Sequence, residues 1–383
     1  DVTDRAGLQY VDLVQEGGGV LGIALVGYTH ILEEAGIRFL NLAGTSAGAI
    51  NTLMMAALGP LDAPKSRELL EIISHKNLFD LVDGNRAQKR LVQRYIDGKK
   101  GLLFHIIMAA IGIIKTLKNQ LGLNPGDDFE SWMTGILASQ GIVTTGDLIS
   151  LRNRLPEGLA NRSGTALTGF TPQTILIASE ITTQTKVHFP EMADLYWRDP
   201  ERVPPARYVR ASMSIPLFFE PYVVGALPDG PDAKERWQEK VRYRGDIPGT
   251  VRFVDGGILS NFPINVFHRP NTVPRMPTFG VRLSASRERH NTTDRFFPFV
   301  WAMINTMRHL YDYDFLLRNP DYQHLICRLD TDNDFNWLDF NMSDKNKIRL
   351  FQRGAQKAIS FLEHFDWEGY KKIRRELIPV LPS

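Results

Sequence analysis

The first 58 residues alternate twice between a strand and a helix, with a glycine-rich turn after each strand. An apolar run over 8–14 predicts the first strand, which ends in Gly17-Gly18-Gly19. A second apolar run over 37–42 leads into Gly44-Thr45-Ser46-Ala47-Gly48. Residues with helical apolar spacing follow each turn. Because this order requires right-handed crossovers between parallel strands, we expect an α/β fold with a central, mostly parallel sheet and helices on both faces.

The second turn carries a serine between two glycines, at the junction of a strand and a helix. This Gly-x-Ser-x-Gly pattern is typical of a nucleophile elbow, in which the tight turn leaves no room for a Cβ at the flanking positions. Ser46 would then stand at a helix N-terminus, where the helix dipole favours negative charge. The same five residues also fit a turn whose serine only caps the helix. Two further stretches, Gly17-Gly18-Gly19 and Asp255-Gly256-Gly257, favour a catalytic serine.

The first turn, Gly17-Gly18-Gly19, lies at a strand end and a helix start. Backbone N–H groups of such a loop can bind an anion, and beside a nucleophile they would form an oxyanion hole worth about 3 kcal/mol per donor. The run also matches the Gly-x-Gly-x-x-Gly fingerprint of dinucleotide-binding folds. That fingerprint needs an acidic residue at the end of the second strand, but Glu33 and Glu34 fall on the preceding helix.

Asp255-Gly256-Gly257 follows a short apolar strand over 251–254. A carboxylate at a strand end, with glycines that give close access, can act as a general base. The alternative is a turn aspartate in an ordinary connection. If Asp255 is the base, a buried site should raise its pKa, and activity should fall in acid as the carboxylate is protonated.

Taken in order, these motifs resemble the patatin-like phospholipase family. Gly17 to Gly22 resembles its oxyanion loop, Gly44 to Gly48 its nucleophile elbow, and Asp255-Gly256-Gly257 its Asp-Gly-Gly/Ala motif. Two supporting stretches also resemble family segments, Ala211-Ser212-Met213-Ser214-Ile215-Pro216 and Asn261-Phe262-Pro263. The resemblance extends over about residues 8–285.

The resemblance implies a patatin-like three-layer α/β/α fold and a Ser-Asp dyad without a catalytic histidine. Ser46 would be the nucleophile, Asp255 its base, and Gly17, Gly18 and Gly19 the oxyanion donors. No cofactor is implied, and the family works without calcium. Family members often carry Arg or Lys where this chain has Leu21, so a lipid phosphate would need another positive group here.

We therefore predict a serine lipid acyl hydrolase, a carboxylic ester hydrolase of the phospholipase A or lysophospholipase type, that works through an acyl-enzyme. Its substrate would be a phospholipid or another fatty-acyl ester. Three alternatives stay open at this stage: an acyltransferase, a lipid- or nucleotide-binding module on the same fold, and an esterase with a Ser-Asp-His triad. The histidines that could complete such a triad are His268, His290, His309, His324 and His364.

Charge and cysteine content exclude several other classes. The 45 basic and 43 acidic residues are scattered along the chain and leave a net charge of +2, so we expect no nucleic-acid partner. A single cysteine, Cys327, excludes an internal disulfide and a cysteine-based zinc site, and no clustered ligand set predicts a metal. We expect a cytoplasmic protein that either stays free or associates with a membrane surface, with an exported effector as the alternative, and the sequence identifies no activator. The chain starts with Asp1 instead of Met, which we interpret as trimming.

We expect residues 1–383 to form a single patatin-like domain, with a lid-like helical insertion over 84–170 and a C-terminal helical segment over 340–383. Within the insertion, Leu102–Ile114 is nearly all apolar, is bracketed by lysines and is too short to span a bilayer. We interpret it either as a buried core helix or as a lid that contacts the membrane surface. The polar stretch 226–248, rich in Pro, Gly and charge, predicts a surface loop.

Overall fold

The computed structural model describes residues 2–85, 89, 121–284, 290, 293–294, 296–331 and 334–378. The predicted lid or membrane contact at Leu102–Ile114 lies outside the described residues. Within these ranges, no helix is both long enough and apolar enough to cross a membrane.

Strands make up the centre of the molecule. They are β1 (Val2–Thr3), β2 (Gln9–Gln15), β3 (Ile37–Thr45), β4 (Gly122–Asn124), β5 (Ala160–Asn161), β6 (Thr174–Glu180), β7 (Thr185–Phe189), β8 (Leu217–Phe219), β9 (Tyr222–Gly225), β10 (Thr250–Asp255), β11 (Thr278–Arg282) and β12 (Ile326–Arg328).

Ten of these strands form one sheet, whose main order is β12-β11-β2-β3-β6-β10-β9, while β4 and β8 pair separately. The five strands from β12 to β6 are parallel, and β10 and β9 continue the sheet in antiparallel fashion. β7 forms an antiparallel hairpin with β6, and the short strands β1 and β5 extend from β2. The largely parallel sheet confirms the predicted fold class.

Helices cover the sheet. They are α1 (Ile23–Glu34), α2 (Ala47–Ala57), α3 (Ser66–His75), α4 (Asp127–Ser139), α5 (Thr145–Arg152), α6 (Ala206–Ser212), α7 (Pro231–Val241), α8 (Phe296–Arg318), α9 (Asp344–His364) and α10 (Trp367–Leu377).

Consecutive residues of the central strands pack into two separate cores. Leu13 and Leu42 face one core, which contains apolar side chains of α1, α2 and α9. Val14 and Ala43 face the other, which contains side chains of α8 and α10. Because successive side chains point to opposite faces of a strand, a parallel sheet buried on both faces reads as a continuous apolar run. The mixed α/β architecture therefore has a helical layer on each face of the sheet.

The predicted loop over 226–248 is wrong, because this stretch contains helix α7. Pro231 occupies the first turn of α7, where its missing N–H costs nothing. Ala233 and Trp237, one helical turn apart, are both 1% exposed. These two side chains, with the partly buried Val241 at the end of the helix, are enough to hold a helix whose other positions are mostly polar. Helices α9 and α10 occupy the predicted C-terminal helical segment, while the division of the chain into domains stays a prediction.

Candidate active site

Ser46 lies in a sharp turn between β3 and α2, as the Gly-x-Ser-x-Gly pattern predicts. Its backbone has φ 52° and ψ −118°, a strained conformation for a residue with a side chain. A Cβ on Gly44 would overlap the carbonyl group of Gly48, and a Cβ on Gly48 would overlap that of Gln15. Both flanking glycines are therefore required by the close approach of neighbouring backbones.

Asp255 is the last residue of β10, and the structure brings it together with Ser46 across the sheet. The Ser46 hydroxyl donates to Asp255 Oδ2 at 2.6 Å, although 209 positions separate the two residues. The N–H of Gly257 donates to Oδ1 of the same carboxylate at 2.7 Å. Ser46 is 4% exposed and Asp255 is 6% exposed, so the pair is nearly shielded from bulk water.

Burial raises the pKa of Asp255 above its ordinary value, in the direction that the sequence analysis expects. The positive charge of Arg308 and the hydrogen bonds from Ser46 and Gly257 act in the opposite direction without cancelling the effect of burial. A carboxylate with a raised pKa is a stronger base toward the serine hydroxyl than an exposed aspartate is.

The segment that ends α6 fixes both members of this pair. The N–H of Ser46 donates to Ser212 Oγ at 2.9 Å, and the Ser212 hydroxyl donates in turn to the carbonyl oxygen of Ile177. The N–H of Asp255 donates to the carbonyl oxygen of Ser214 at 2.8 Å. The sequence marks this segment only by its resemblance to a family segment, and no local pattern gives Ser212 or Ser214 a role.

The glycine loop 17–19 lies against the elbow. A Cβ placed on Gly17 would stand 3.1 Å from Ser46 Cβ. The N–H of Gly17 donates to the carbonyl oxygen of Asn261 at 3.0 Å, and Asn261 Nδ2 donates back to the carbonyl oxygen of Gly17 at 3.1 Å. Gly17 therefore offers no free donor, and the predicted donor set narrows to Gly18 and Gly19, whose N–H groups make no hydrogen bond within the described ranges.

Glu16 anchors this loop to the neighbouring strand. Its carboxylate accepts hydrogen bonds from the N–H groups of Leu283 and Ser284 at 2.6 and 2.9 Å and lies 3.5 Å from Arg282 Nη2. Burial by itself would raise the pKa of Glu16, but the charge of Arg282 and the hydrogen bonds from Ser284 outweigh it and hold the pKa below its ordinary value. The carboxylate thus stays ionised and holds the loop in place.

A narrow apolar cavity of about 90 Å³ opens beside Ser46. Apart from Ser46 and Asn51, its walls are apolar side chains and glycine backbone. The side chains come from helices α2, α3 and α4 and from several connecting segments. They include Ile50, Ile73, Leu81, Phe129, Ile215 and Phe340. This shape and lining suit a hydrocarbon chain.

Arg308, on α8, brings a positive charge next to the Ser-Asp pair. Its Nη2 donates to Asn261 Oδ1 at 3.0 Å, and a Cβ on Gly257 would stand 3.3 Å from its Nε. The guanidinium lies 5.2 Å from the ring centroid of Trp337, whose carbonyl oxygen accepts from the N–H of Val20. No local motif identifies Arg308 or Trp337, because only folding brings them to this place.

The candidate triad histidines do not join the pair in the described part of the chain. Neither Ser46 nor Asp255 makes a hydrogen bond to an imidazole there. His268 bonds Tyr322 at 2.8 Å, and His364 bonds the carbonyl oxygen of Ser360 at 2.7 Å. Among the described residues, no group of three or more His, Cys, Asp or Glu side chains could hold a metal ion.

One curated protein is similar to this chain in sequence, and two solved structures align with most of it at low scores. The uncharacterized protein YqhO of Bacillus subtilis (strain 168) is 32% identical over 363 residues, which span 94% of this chain and all of YqhO. The solved structure of VipD from Legionella pneumophila aligns over 95% of this chain and over 70% of the VipD chain, with a TM-score of 0.42 and 15% sequence identity. A second solved structure is that of the ExoU–SpcU complex from the type III secretion system of Pseudomonas aeruginosa. ExoU aligns over 93% of this chain and over 52% of the ExoU chain, with a TM-score of 0.38 and 16% sequence identity.

The family comparison covers every predicted site residue. The model of the patatin-like phospholipase family matches residues 13–268, more than half of the chain, and this range includes the glycine loop, Ser46 and Asp255. A family match of this extent supports a lipid hydrolase in general terms. The chain belongs to the patatin-like phospholipase family.

Proposed function

We propose that the protein is a serine lipid acyl hydrolase of the phospholipase A or lysophospholipase type, with Ser46 as nucleophile and Asp255 as base. The observation that carries this proposal is the 2.6 Å hydrogen bond from the Ser46 hydroxyl to Asp255, at the mouth of an apolar cavity. A buried acid-base pair of this kind is what nucleophilic acyl transfer needs.

In the first half-reaction, Ser46 Oγ attacks the ester carbonyl carbon while its proton moves to Asp255 Oδ2. The carbonyl oxygen gains the negative charge, and the free N–H groups of Gly18 and Gly19 are the proposed donors that stabilise it. The N–H of Ala47, the first residue of α2, is a further candidate donor that the sequence analysis did not include. The C–O bond to the alcohol then breaks, and the alcohol leaves with the proton from Asp255.

In the second half-reaction, water gives a proton to Asp255 while its oxygen attacks the acyl-serine carbonyl. The Ser46–acyl bond breaks, the free fatty acid is released, and Ser46 recovers its proton from Asp255. An alcohol in place of water would give a transacylation product by the same steps. A product analysis with an added alcohol therefore separates hydrolysis from acyl transfer.

The apolar cavity supports a fatty-acyl group on the carbonyl side of the substrate. It begins at Ser46 and Gly19 and continues between Ile50, Ile73 and Phe129, where a hydrocarbon chain would replace no hydrogen bonds. Each buried methylene contributes about 0.8 kcal/mol to binding, so medium and long acyl chains should be preferred over acetyl.

The test is the release of free fatty acid from phosphatidylcholine and phosphatidylglycerol vesicles by the parent protein, Ser46→Ala and Asp255→Asn. We expect release by the parent and a loss of at least about 100-fold in each variant, since general base catalysis contributes about 100- to 10,000-fold. Ser139→Ala, at an exposed position near the end of α4, is the matched control and should release fatty acid at the parent rate.

Release that survives Asp255→Asn would contradict the dyad and favour another base. Failure of the parent protein to release fatty acid from any vesicle or short-chain ester would contradict the hydrolase proposal itself.

A further inference from the structure

Arg308 is a cation in the active site that has no acidic partner within the described ranges. Its side chain is partly buried, its Nε is buried without a hydrogen-bond partner, and its Nη2 bonds only the neutral amide oxygen of Asn261. Among the described residues, the other arginines of intermediate burial each lie within 4 Å of a carboxylate: Arg207 near Glu130, Arg236 near Asp194 and Arg353 near Asp334. An unpaired guanidinium keeps most of its donors available for a ligand.

The position of this guanidinium is fixed by its neighbours. Asn261, which accepts from Arg308, is 2% exposed and is itself tied to Gly17. The Trp337 ring lies against the guanidinium at 5.2 Å. Four residues further along α8, Asp312 accepts hydrogen bonds from Ser260 Oγ at 2.8 Å and from the N–H of Phe262 at 2.7 Å. One face of α8 therefore clamps the turn after Asp255 and holds Arg308 beside it.

For the basicity of Asp255, a positive charge at this place is unfavourable. The charge of Arg308 stabilises the ionised form of Asp255 and lowers its pKa, which makes Asp255 a weaker base. Arg308 therefore lowers the basicity of Asp255 and has no ion-pair partner in the described part of the chain. An anionic group of the substrate that faces Arg308 would explain its presence. Leu21, in the oxyanion loop, supplies no charge for that purpose.

The two sides of the substrate can be told apart. Arg308, Asn261 and Gly257 are absent from the lining of the apolar cavity, which takes the acyl chain in our proposal. Arg308 is therefore placed to meet the alcohol side of the ester. An anion on the alcohol side of a fatty-acyl ester is the chemical signature of a phospholipid or a lysophospholipid.

We propose that Arg308 binds the phosphodiester of a glycerophospholipid substrate and so selects phospholipids over neutral acylglycerols. This inference rests on the proposed hydrolase function. It assigns a substrate-binding role to a residue of α8, beyond the end of the family match at residue 268. In this role Arg308 contributes binding and orientation and takes no part in proton transfer.

The test compares two soluble substrates with identical acyl chains, dihexanoylphosphatidylcholine and dihexanoylglycerol, both below the concentration at which they aggregate. We expect Arg308→Gln to lower kcat/KM for the phospholipid by about 10- to 100-fold, the range for a hydrogen bond to a charged group. We expect dihexanoylglycerol turnover to change by less than about threefold. Arg308→Lys, which keeps the charge, should recover much of the loss, and Arg318→Gln, on the exposed end of the same helix, should behave as the parent.

Both rates are measured on the alkaline plateau of each variant's pH profile. Removing Arg308 raises the pKa of Asp255, and away from the plateau this would slow both substrates alike. Turnover of dihexanoylglycerol also shows that each variant is folded.

An equal loss on both substrates, or an unchanged phospholipid rate in Arg308→Gln, would overturn the assignment and leave the hydrolase proposal standing. A parent protein that cleaves neither substrate would contradict the proposed function instead. Inhibition by inorganic phosphate that is equal in parent and Arg308→Gln would also count against the assignment, since phosphate presents the same chemistry without the lipid.

Discussion

Asp255 combines a buried position with three groups that favour its ionised form. Burial raises its pKa, while Arg308, the Ser46 hydroxyl and the Gly257 N–H act against that rise. The result is a carboxylate that is a stronger base than an exposed aspartate. In the proposed mechanism, this balance takes the place of the histidine on which most serine hydrolases depend.

The pH dependence of activity follows from this balance. Only the ionised carboxylate can accept the serine proton, so activity is lost as pH falls through the pKa of Asp255. Because that pKa is raised, the acid limb should lie above the pH at which an ordinary aspartate titrates, and the rate should fall about tenfold per pH unit below it. A pH profile of kcat/KM on a soluble short-chain ester checks this. An acid limb at or below the ordinary aspartate value would contradict it.

The sequence predicts those site residues whose chemistry depends on a local backbone motif. Gly44, Ser46 and Gly48 form a turn that any strand-to-helix junction of this kind needs, and Asp255 is marked by the glycines after it. Arg308 and Ser212 reach the site only through tertiary packing, so no spacing in the chain points to them. The engagement of the Gly17 N–H by Asn261 has the same origin, since the partner lies 244 positions away.

At the scale of elements, α1 and α9 cross with their backbones in direct contact. A Cβ on Gly354 of α9 would overlap the carbonyl oxygen of Ala24, and a Cβ on Gly27 of α1 would overlap that of Phe351. Glycine weakens a helix, by about 1 kcal/mol relative to alanine. Its presence at both positions is therefore explained by the close approach of the two helices.

Gly354→Ala should lower the free energy of unfolding by about 1–3 kcal/mol, the usual cost of overpacking a core. Gly135→Ala is the matched control, because Gly135 is an exposed residue of α4 with no atom within 4 Å of its added Cβ. The control should raise the free energy of unfolding by up to about 1 kcal/mol. Denaturant titrations of both variants give these values, and an unchanged midpoint for Gly354→Ala would refute the close crossing.

The elements that the sequence predicts well are those with a continuous apolar run. Strand β2 (Gln9–Gln15) lies within one residue of the predicted strand over 8–14, and β10 (Thr250–Asp255) lies within one residue of the predicted strand over 251–254. Helix α7 was missed because only two of its side chains, Ala233 and Trp237, are buried. The amino-acid composition of such a helix reflects its many exposed residues, so the small buried face is not visible in the composition.

For the whole molecule, a second buried carboxyl group links stability to pH. Asp12, in the middle of β2, accepts from Asn41 Nδ2 at 2.7 Å and from Thr278 Oγ1 at 3.3 Å. Burial raises its pKa to about 7, so the folded protein holds a proton there that the unfolded chain releases near pH 4. Stability from this group is complete below pH 4 and is lost as pH rises toward 7.

Asp12→Asn isolates this effect, because the asparagine oxygen can accept from Asn41 Nδ2 and its NH2 group can donate to Thr278 Oγ1, and the side chain does not ionise. The free energy of unfolding of the parent minus that of the variant should fall by about 1.4 kcal/mol per pH unit between pH 5 and 6, and by about half as much per pH unit near pH 7, where Asp12 is half ionised in the folded protein. The difference is the quantity to measure, since burial lowers the pKa of His188 to about 4 and gives the parent an opposing slope. A difference that stays constant between pH 5 and 7 would show that Asp12 titrates normally.

The site as a whole draws on distant parts of the chain, from Glu16 in the glycine loop to Trp337 after the sheet. The carboxyl ends of β2 and β3 deliver the glycine loop and Ser46, β10 delivers Asp255, and α8 closes the site with Arg308. The family match ends at residue 268, before α8. The residues proposed for acyl transfer, Ser46 and Asp255, thus lie within the matched range. Arg308, the residue proposed to select the substrate, lies beyond it.

The most direct test of the Ser46–Asp255 mechanism is the rate at which a long-chain fluorophosphonate labels the protein, followed by intact mass and peptide mapping. We expect one adduct per chain on Ser46, none in Ser46→Ala, and labelling at least about 100-fold slower in Asp255→Asn. An adduct on another residue, or labelling of Asp255→Asn at the parent rate, would contradict the assignment of Ser46 as nucleophile and Asp255 as its base.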